Sequence, residues 1–340
     1  MRGERTDKRG FESARRLHDN SVGGCSSKRL TNPEWLRPSV PPAASGRSAR
    51  QCPASPWRHQ FRQTMHVCSL LMRGVVMSKY LLQVGDKGFD RLKFINDIFG
   101  EHSRNFLSRS GLREGMRVLE LGCGTGSMTT WIANVVGKNG RVIALDASEK
   151  QIKIARNAIE ESGVANVEFI CSIVEALELP RDSIDLVYSR LLLMHLKNPE
   201  LVLKSIKKHL KVGGIICCEE PHASSLLTTP PNERIESLNA IFIKLGKLQG
   251  FDFNIGDKLL PMLNAAGYSI LHACFVQPVI SMADATEFVL MGAKEMAPFA
   301  VQCGMLSEAE TQDMLHEMAT KIDADSYYTF PRQAQVSGYR

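Results

Sequence analysis

The chain has 340 residues and a formal net charge of +6, with 44% apolar and 23% charged residues. That composition suits a globular protein, and the absence of any apolar run of membrane-spanning length excludes a transmembrane helix as the organising element. The charge is uneven: residues 1–77 hold 14 Lys and Arg against 5 Asp and Glu, and residues 78–340 hold 28 against 31. The basic excess therefore sits at the front, and the balance gives no support to a basic groove for nucleic acid in the remainder.

The stretch from Thr31 to Gln60 is rich in Pro, Ser, Arg and Gly and shows neither helical nor strand period. It reads as disordered. Three readings compete for this basic extension: a flexible tail, a targeting peptide, or translated sequence upstream of the true start. Glu4, Asp7, Glu12 and Asp19 are out of place in a transit peptide. Met77 opens directly onto patterned sequence, which favours a start at or near Met77.

From Leu81 to Leu107 apolar residues recur at helical spacing, predicting one or two helices. The order then expected is strand 117–121, helix 128–136, strand 141–145, helix 149–162, strand 167–171 and strand 184–188. A helix near 198–210 and a strand at 214–219 follow. Beyond Pro221 the pattern predicts helices over 233–248 and 257–266, a strand over 268–276, and two helices within 283–322. The tail Tyr327 to Arg340 reads as a final edge strand. Strands alternating with helices imply right-handed parallel crossovers and a doubly wound α/β sheet. Ligands of such sheets lie beyond the strand C-termini, where Glu120, Asp146, Ser172 and Arg190 all fall.

The segment "RVLELGCGTGSMTTWIANVVG", Arg117 to Gly137, carries the chemistry. Gly122, Gly124 and Gly126 sit where a buried strand turns into a helix. Glycine there permits positive φ and lets a ligand approach the main chain and the unpaired N–H groups of the helix start. The spacing departs from the dinucleotide fingerprint, and no Gly-Lys-Ser/Thr follows for a phosphate loop. Glu120 precedes the glycines at the strand end, where a carboxylate repels pyrophosphate and attracts a cation. Asp146 closes the next strand, twenty residues beyond Gly126. A carboxylate there offers two oxygens to the two hydroxyls of a ribose.

These residues resemble the class I S-adenosylmethionine-dependent methyltransferases, over roughly residues 78–340 and most strongly over 112–221. The resemblance implies a Rossmann-like, mostly parallel seven-stranded sheet with helical cap and lid insertions. It also implies methyl transfer from S-adenosylmethionine to a small-molecule acceptor through an O, N or C nucleophile. Gly122, Gly124 and Gly126 would lie against the methionyl part, Glu120 near its amino group and Asp146 on the ribose. Ala147 and Gln151 would touch ribose or base. Where the family often carries an acid for the adenine amino group, this sequence has Ser172 and Ile173. Arg190 would reach the methionine carboxylate or a backbone carbonyl. The front segment Tyr80 to Arg91 resembles a lid; Arg91 either reaches the cofactor carboxylate or is a solvated helix residue.

Residues 78–111 are thus expected to form lid helices, 112–221 the cofactor core, and 222–340 the substrate cap. His195 is the candidate general base, against a plain packing histidine, and His222 is a weaker one. Glu219 and Glu220 either orient an acceptor or face solvent. The Asn/Asp-Pro-Pro-aromatic clamp for a flipped base is missing at Tyr188-Ser189-Arg190-Leu191. The rival class is a protein that binds S-adenosylmethionine without transferring its methyl group. Nine scattered cysteines without C-x-x-C or zinc spacing predict no metal, and their odd number and apolar settings predict a reducing compartment, the cytoplasm.

Overall fold

A near-continuous apolar pentapeptide needs partners on both edges and cover on both faces, and Arg117–Leu121 (β1) has them. The computed structural model describes residues 86–320 and 325–340. The readings of residues 1–77, of Tyr80 and of the front of the lid segment fall outside the described residues. A single helix, Asp86–Arg109 (α1), leads into β1. There follow Ser127–Val136 (α2), Arg141–Asp146 (β2), Glu149–Ser162 (α3), Val167–Cys171 (β3), Ile184–Arg190 (β4), Pro199–Lys207 (α4) and Leu210–His222 (β5). The second half holds Leu227–Thr229 (β6), Glu233–Gln249 (α5), Leu259–Ala265 (α6), Ser269–Val276 (β7), Val279–Ser281 (β8), Met282–Gln302 (α7), Glu308–Thr320 (α8), Tyr327–Thr329 (β9) and Arg332–Tyr339 (β10).

Among the described residues, seven strands form one sheet in the order β3-β2-β1-β4-β5-β10-β7. β1 pairs in parallel with β2 through Leu119↔Ile143 and with β4 through Leu119↔Val187. The chain order reverses between β1 and β4, which opens a crevice above their C-terminal ends. Period two sorts the strand side chains. Val118, Val142, Leu186 and Ile215 pack with Ile132 and Val136 of α2 and Leu107 of α1. Leu119, Ile143, Val187 and Ile216 pack with Leu203 of α4 and Leu259 and Leu263 of α6.

The tail departs from expectation. β10 is not an edge strand: it lies between β5 and β7, antiparallel to both, and β7 forms the edge. Gln333, Gln335 and Ser337 alternate with Ala334, Val336 and Gly338, a pattern that predicts one face in water. The polar face is instead buried. Gln335 Nε2 donates to Glu219 Oε2 at 2.7 Å, and Ser110 Oγ donates to Ser337 Oγ at 3.0 Å. A small antiparallel sheet, β6-β9-β8, is also formed by segments with no distinct strand period.

Candidate functional site

The turn after β1 folds back over β2: the N–H groups of Gly122 and Cys123 both donate to Leu145 O, at 2.8 and 2.9 Å. Gly122, Gly124 and Gly126 all have positive φ, 71°, 53° and 84°. Their surroundings separate their roles. A Cβ on Gly124 would meet nothing nearer than Leu92 Cδ1 at 3.7 Å, so this backbone stands open to a ligand. A Cβ on Gly122 would come within 3.3 Å of Leu192. A Cβ on Gly126 would press on Ala155 of α3 at 3.0 Å. Gly126 therefore lets α2 and α3 approach each other, and it lies off the cavity described below.

Asp146 ties the turn to the end of β2. Its Oδ2 accepts from Gly124 N at 2.9 Å and its Oδ1 from Ser148 N at 2.8 Å. Each oxygen keeps a second lone pair for a ligand hydroxyl. Burial raises the Asp146 carboxyl above its usual range, against the lowering by these N–H groups. Glu120, two residues before the open loop, is buried and accepts from Thr129 Oγ1 at 2.6 Å. Burial pushes its carboxyl up to about 7, while the Thr129 hydrogen bond and the charge of Arg190 oppose the rise. Arg190 donates to Ser103 Oγ at 3.1 Å and Asn96 Oδ1 at 3.2 Å, so α1 holds its guanidinium in place.

These groups line one cavity of about 1000 Å³ above the switch point. That is the upper end of the usual range of about 300–1,000 Å³ for small-molecule sites. Glu120, Gly122, Gly124, Asp146, Ala147, Gln151, Ser172, Ile173, Arg190 and His195 all line it. Of the sequence-derived cofactor residues, Gly126 alone does not. Gln151 is buried, and its Oε1 has no hydrogen-bond partner. Ser172 N donates to Asp146 O at 3.0 Å, while its hydroxyl turns to Ile173 O at 3.1 Å. The Ile173 side chain is 40% exposed and presents an apolar surface at the cavity rim.

Other sequence readings change. Arg91 is not a solvated helix residue: it is buried, lines the cavity and pairs with Glu295 of α7 at 3.3 Å. Glu219 and Glu220 do not face solvent; both are fully buried on β5. Glu219 accepts from Tyr188 Oη at 2.6 Å and Ser103 Oγ at 3.0 Å. Glu220 accepts from the backbone N–H groups of Leu192, Leu193 and Met194, at 3.0, 2.7 and 3.2 Å. His222 pairs through Nδ1 with Asp257 at 2.8 Å and is absent from the cavity lining. His195 stands edge-on to Phe251 and Phe253, with ring centres 5.4 and 5.7 Å away. Burial, with the nearby Arg91 charge, brings its imidazole down to about 4, so it is neutral near pH 7.

The far end of the cavity was not legible in the sequence. Phe242 and Phe253 stack at 4.2 Å between ring centres, and Phe330 meets Tyr328 edge-on at 4.9 Å. Gln249 and Gln333 also reach this cavity. These side chains come from α5, from the loop after it, from the last two strands and from the link between those strands. No motif links them.

The fit of this site to a sulfonium nucleoside rests on the bare backbone at Gly124, the buried Glu120 carboxyl, the two-oxygen Asp146 and the buried, unpartnered Gln151 Oε1. A family model described as a methyltransferase domain matches residues 112–267. The ubiquinone/menaquinone biosynthesis C-methyltransferase UbiE of Hydrogenovibrio crunogenus is 36% identical over 126 residues, 35% of this chain and 50% of that protein. UbiE of a Shewanella strain is 32% identical over the same shares. The chain thus spans about half the length of the curated relatives it matches. Among solved structures, the YcgJ protein of Bacillus subtilis is 17% identical, with a TM-score of 0.49 over 71% of this chain and 98% of that one. The match to a methyltransferase domain over residues 112–267 and the likeness to UbiE over 126 residues support a class I S-adenosylmethionine-dependent methyltransferase.

Proposed function

We propose that the protein transfers a methyl group from S-adenosylmethionine to a small, largely apolar acceptor held in the same cavity. The observation that carries this reading is the continuity of the cavity. It runs from the Glu120–Asp146 end to the aromatic end around Phe253 and Phe330, so two molecules can meet inside it. When bound, S-adenosylmethionine supplies an electrophilic methyl group on a positively charged sulfur. In this proposal Asp146 holds the ribose hydroxyls, Gln151 and Ile173 flank the base, and Arg190 faces the methionine carboxylate. Residues 112–221 hold the cofactor, while α1 and residues 222–340 close the acceptor chamber.

The chain contributes orientation and exclusion of water, which supply much of the acceleration of a bimolecular transfer. His195 stands outside the range of an effective general base, because base catalysis works best with a pKa near the working pH. Its role is packing between Phe251 and Phe253. The neighbouring thiols Cys217 and Cys218 are buried on β5, which suits a reducing compartment such as the cytoplasm. No helix among the described residues is long and apolar enough to cross a membrane.

Incubation with methyl-labelled S-adenosylmethionine and fractionated metabolite extracts tests the transfer. A labelled small product supports it; saturable cofactor binding with no labelled product in any fraction would leave a cofactor-binding protein instead. A pH profile tests the Glu120 assignment. The ammonium group of S-adenosylhomocysteine favours the ionised carboxylate, and below about 7 Glu120 holds a proton that must first leave. Affinity for S-adenosylhomocysteine should therefore fall about tenfold per pH unit below that point and level off above it. Glu120→Gln should flatten the profile; an equally steep profile in that variant rules out Glu120 as its source.

A further inference from the structure

We infer that Gln333 is a residue that selects the acceptor, and that the acceptor is an aromatic, largely apolar molecule bearing a hydroxyl or a hydroxyl beside a carbonyl. This deepens the transferase reading and rests on it.

Gln333 is 2% exposed and lines the cavity, yet neither its Oε1 nor its Nε2 has a hydrogen-bond partner. A buried amide with both ends unmet is costly, and native proteins keep very few. The cost is not forced by the strand. Gln335 and Ser337 share its face of β10, and both find partners, Glu219 and Ser110. Only the member of this polar stripe that reaches the cavity stays unmet.

The register places Gln333 on the ligand side. Gln335 pairs with Glu219, which pairs with Arg190 at the end of β4. Gln333 lies two residues further toward the cavity, opposite Pro221, which also lines it. Gln333 thus borders the chamber and makes no bond to the Ser103–Glu219 network, and a turn of its buried side chain would bring the amide into the chamber.

The chemistry of the ligand follows from the surroundings. The amide offers a donor and an acceptor at once. A hydroxyl can give to Oε1 and receive from Nε2, and an adjacent carbonyl would take a second N–H. The same chamber is lined by Tyr328, Phe330 and Pro331 and by the stacked Phe253 and Phe242. Rings of this kind favour an aromatic body. A purely apolar ligand would leave the amide unmet, so the site discriminates against it.

The probes are 2-naphthol and the isosteric 2-methylnaphthalene, titrated against the full chain alone and saturated with S-adenosylhomocysteine. The wild type should prefer 2-naphthol about tenfold, the worth of one satisfied buried polar pair. Gln333→Leu should remove that preference, leave S-adenosylhomocysteine affinity unchanged, and raise the melting temperature by about 2–4 °C, since an unmet amide is gone. Gln333→Met repeats the comparison with a flexible side chain, should the leucine fit poorly.

Equal binding of the two probes by the wild type, no binding of either, or a preference retained in both variants would overturn the inference. So would variants that melt lower, because the amide would then be holding the fold. Failure to bind S-adenosylhomocysteine would strike the transferase reading alone, as the probe comparison on the protein without it still reports on Gln333.

Discussion

Asp146→Ala should weaken S-adenosylhomocysteine binding by about two to four orders of magnitude. Charged hydrogen bonds contribute roughly 1.5–3 kcal/mol each, and this carboxylate can accept two from a ribose. The variant should lose more than those contacts, because the same oxygens anchor Gly124 N and Ser148 N. Without that anchor the open backbone at Gly124 is no longer pinned over β2. Asp146→Asn separates the two effects, since its carbonyl oxygen can still accept from one of the two N–H groups. It should bind more weakly than wild type but better than Ala. Calorimetric titration checks the series, and an Ala variant within threefold of wild type would remove Asp146 from the cofactor site.

Replacing Glu220 by Leu is expected to have the largest effect on stability, about 3–6 kcal/mol. Three backbone N–H groups, those of Leu192, Leu193 and Met194, would lose their acceptor, two of them buried, at a cost of roughly 1–3 kcal/mol for a buried one. The segment they belong to starts at Leu191, whose φ is +56°, an uncommon conformation for a residue with a branched side chain. Such backbone persists only where its neighbours over-determine it. Here the Glu220 carboxyl and the Leu191 N–H to Glu219 O bond of 2.9 Å supply that determination. Because Leu191, Leu192, Met194 and His195 line the cavity, the Leu variant should also lose ligand binding. Glu220→Gln keeps an acceptor oxygen and should cost far less. Urea midpoints measure both; equal midpoints for Leu and Gln would show that the clamp contributes nothing.

The same carboxyl gives the stability a pH dependence of known sign. Burial raises Glu220 from the ordinary 4.5 to about 8, so the folded chain keeps a proton that the unfolded chain releases above 4.5. That contribution is complete below 4.5 and is lost as pH rises through about 8. The Gln variant, with nothing to titrate there, should have the flatter curve.

How much of this was readable beforehand follows from where the information lies. The glycine turn was legible because its determinants are local: an apolar strand on one side, helical spacing on the other, and positive φ between them. Sequence spacing also placed Glu120 and Asp146 at neighbouring strand ends, since parallel pairing of β1 with β2 sets Glu120 against Ala144 and Leu121 against Leu145. What spacing could not show is what lies opposite each atom. Gly126 has the same backbone sign as Gly124, yet one faces Ala155 and the other an open space.

Burial of polar groups was likewise beyond reach of the sequence. Arg91 and Glu295 are separated by about two hundred residues, and each alone reads as a surface charge; their pairing exists only once α7 packs on α1. The Gln333-Gln335-Ser337 stripe looked like the wet face of an edge strand. It is dry because β10 slots between β5 and β7, with Ser103 of α1 and Ser110 just beyond it joining the polar network. Local periodicity alone determined the strand–helix order and the cofactor turn, because those depend on neighbours along the chain. The aromatic end of the cavity, the Glu220 clamp and the unmet amide of Gln333 were decided by the tertiary structure, because whether a polar atom is satisfied depends on partners that only packing brings near.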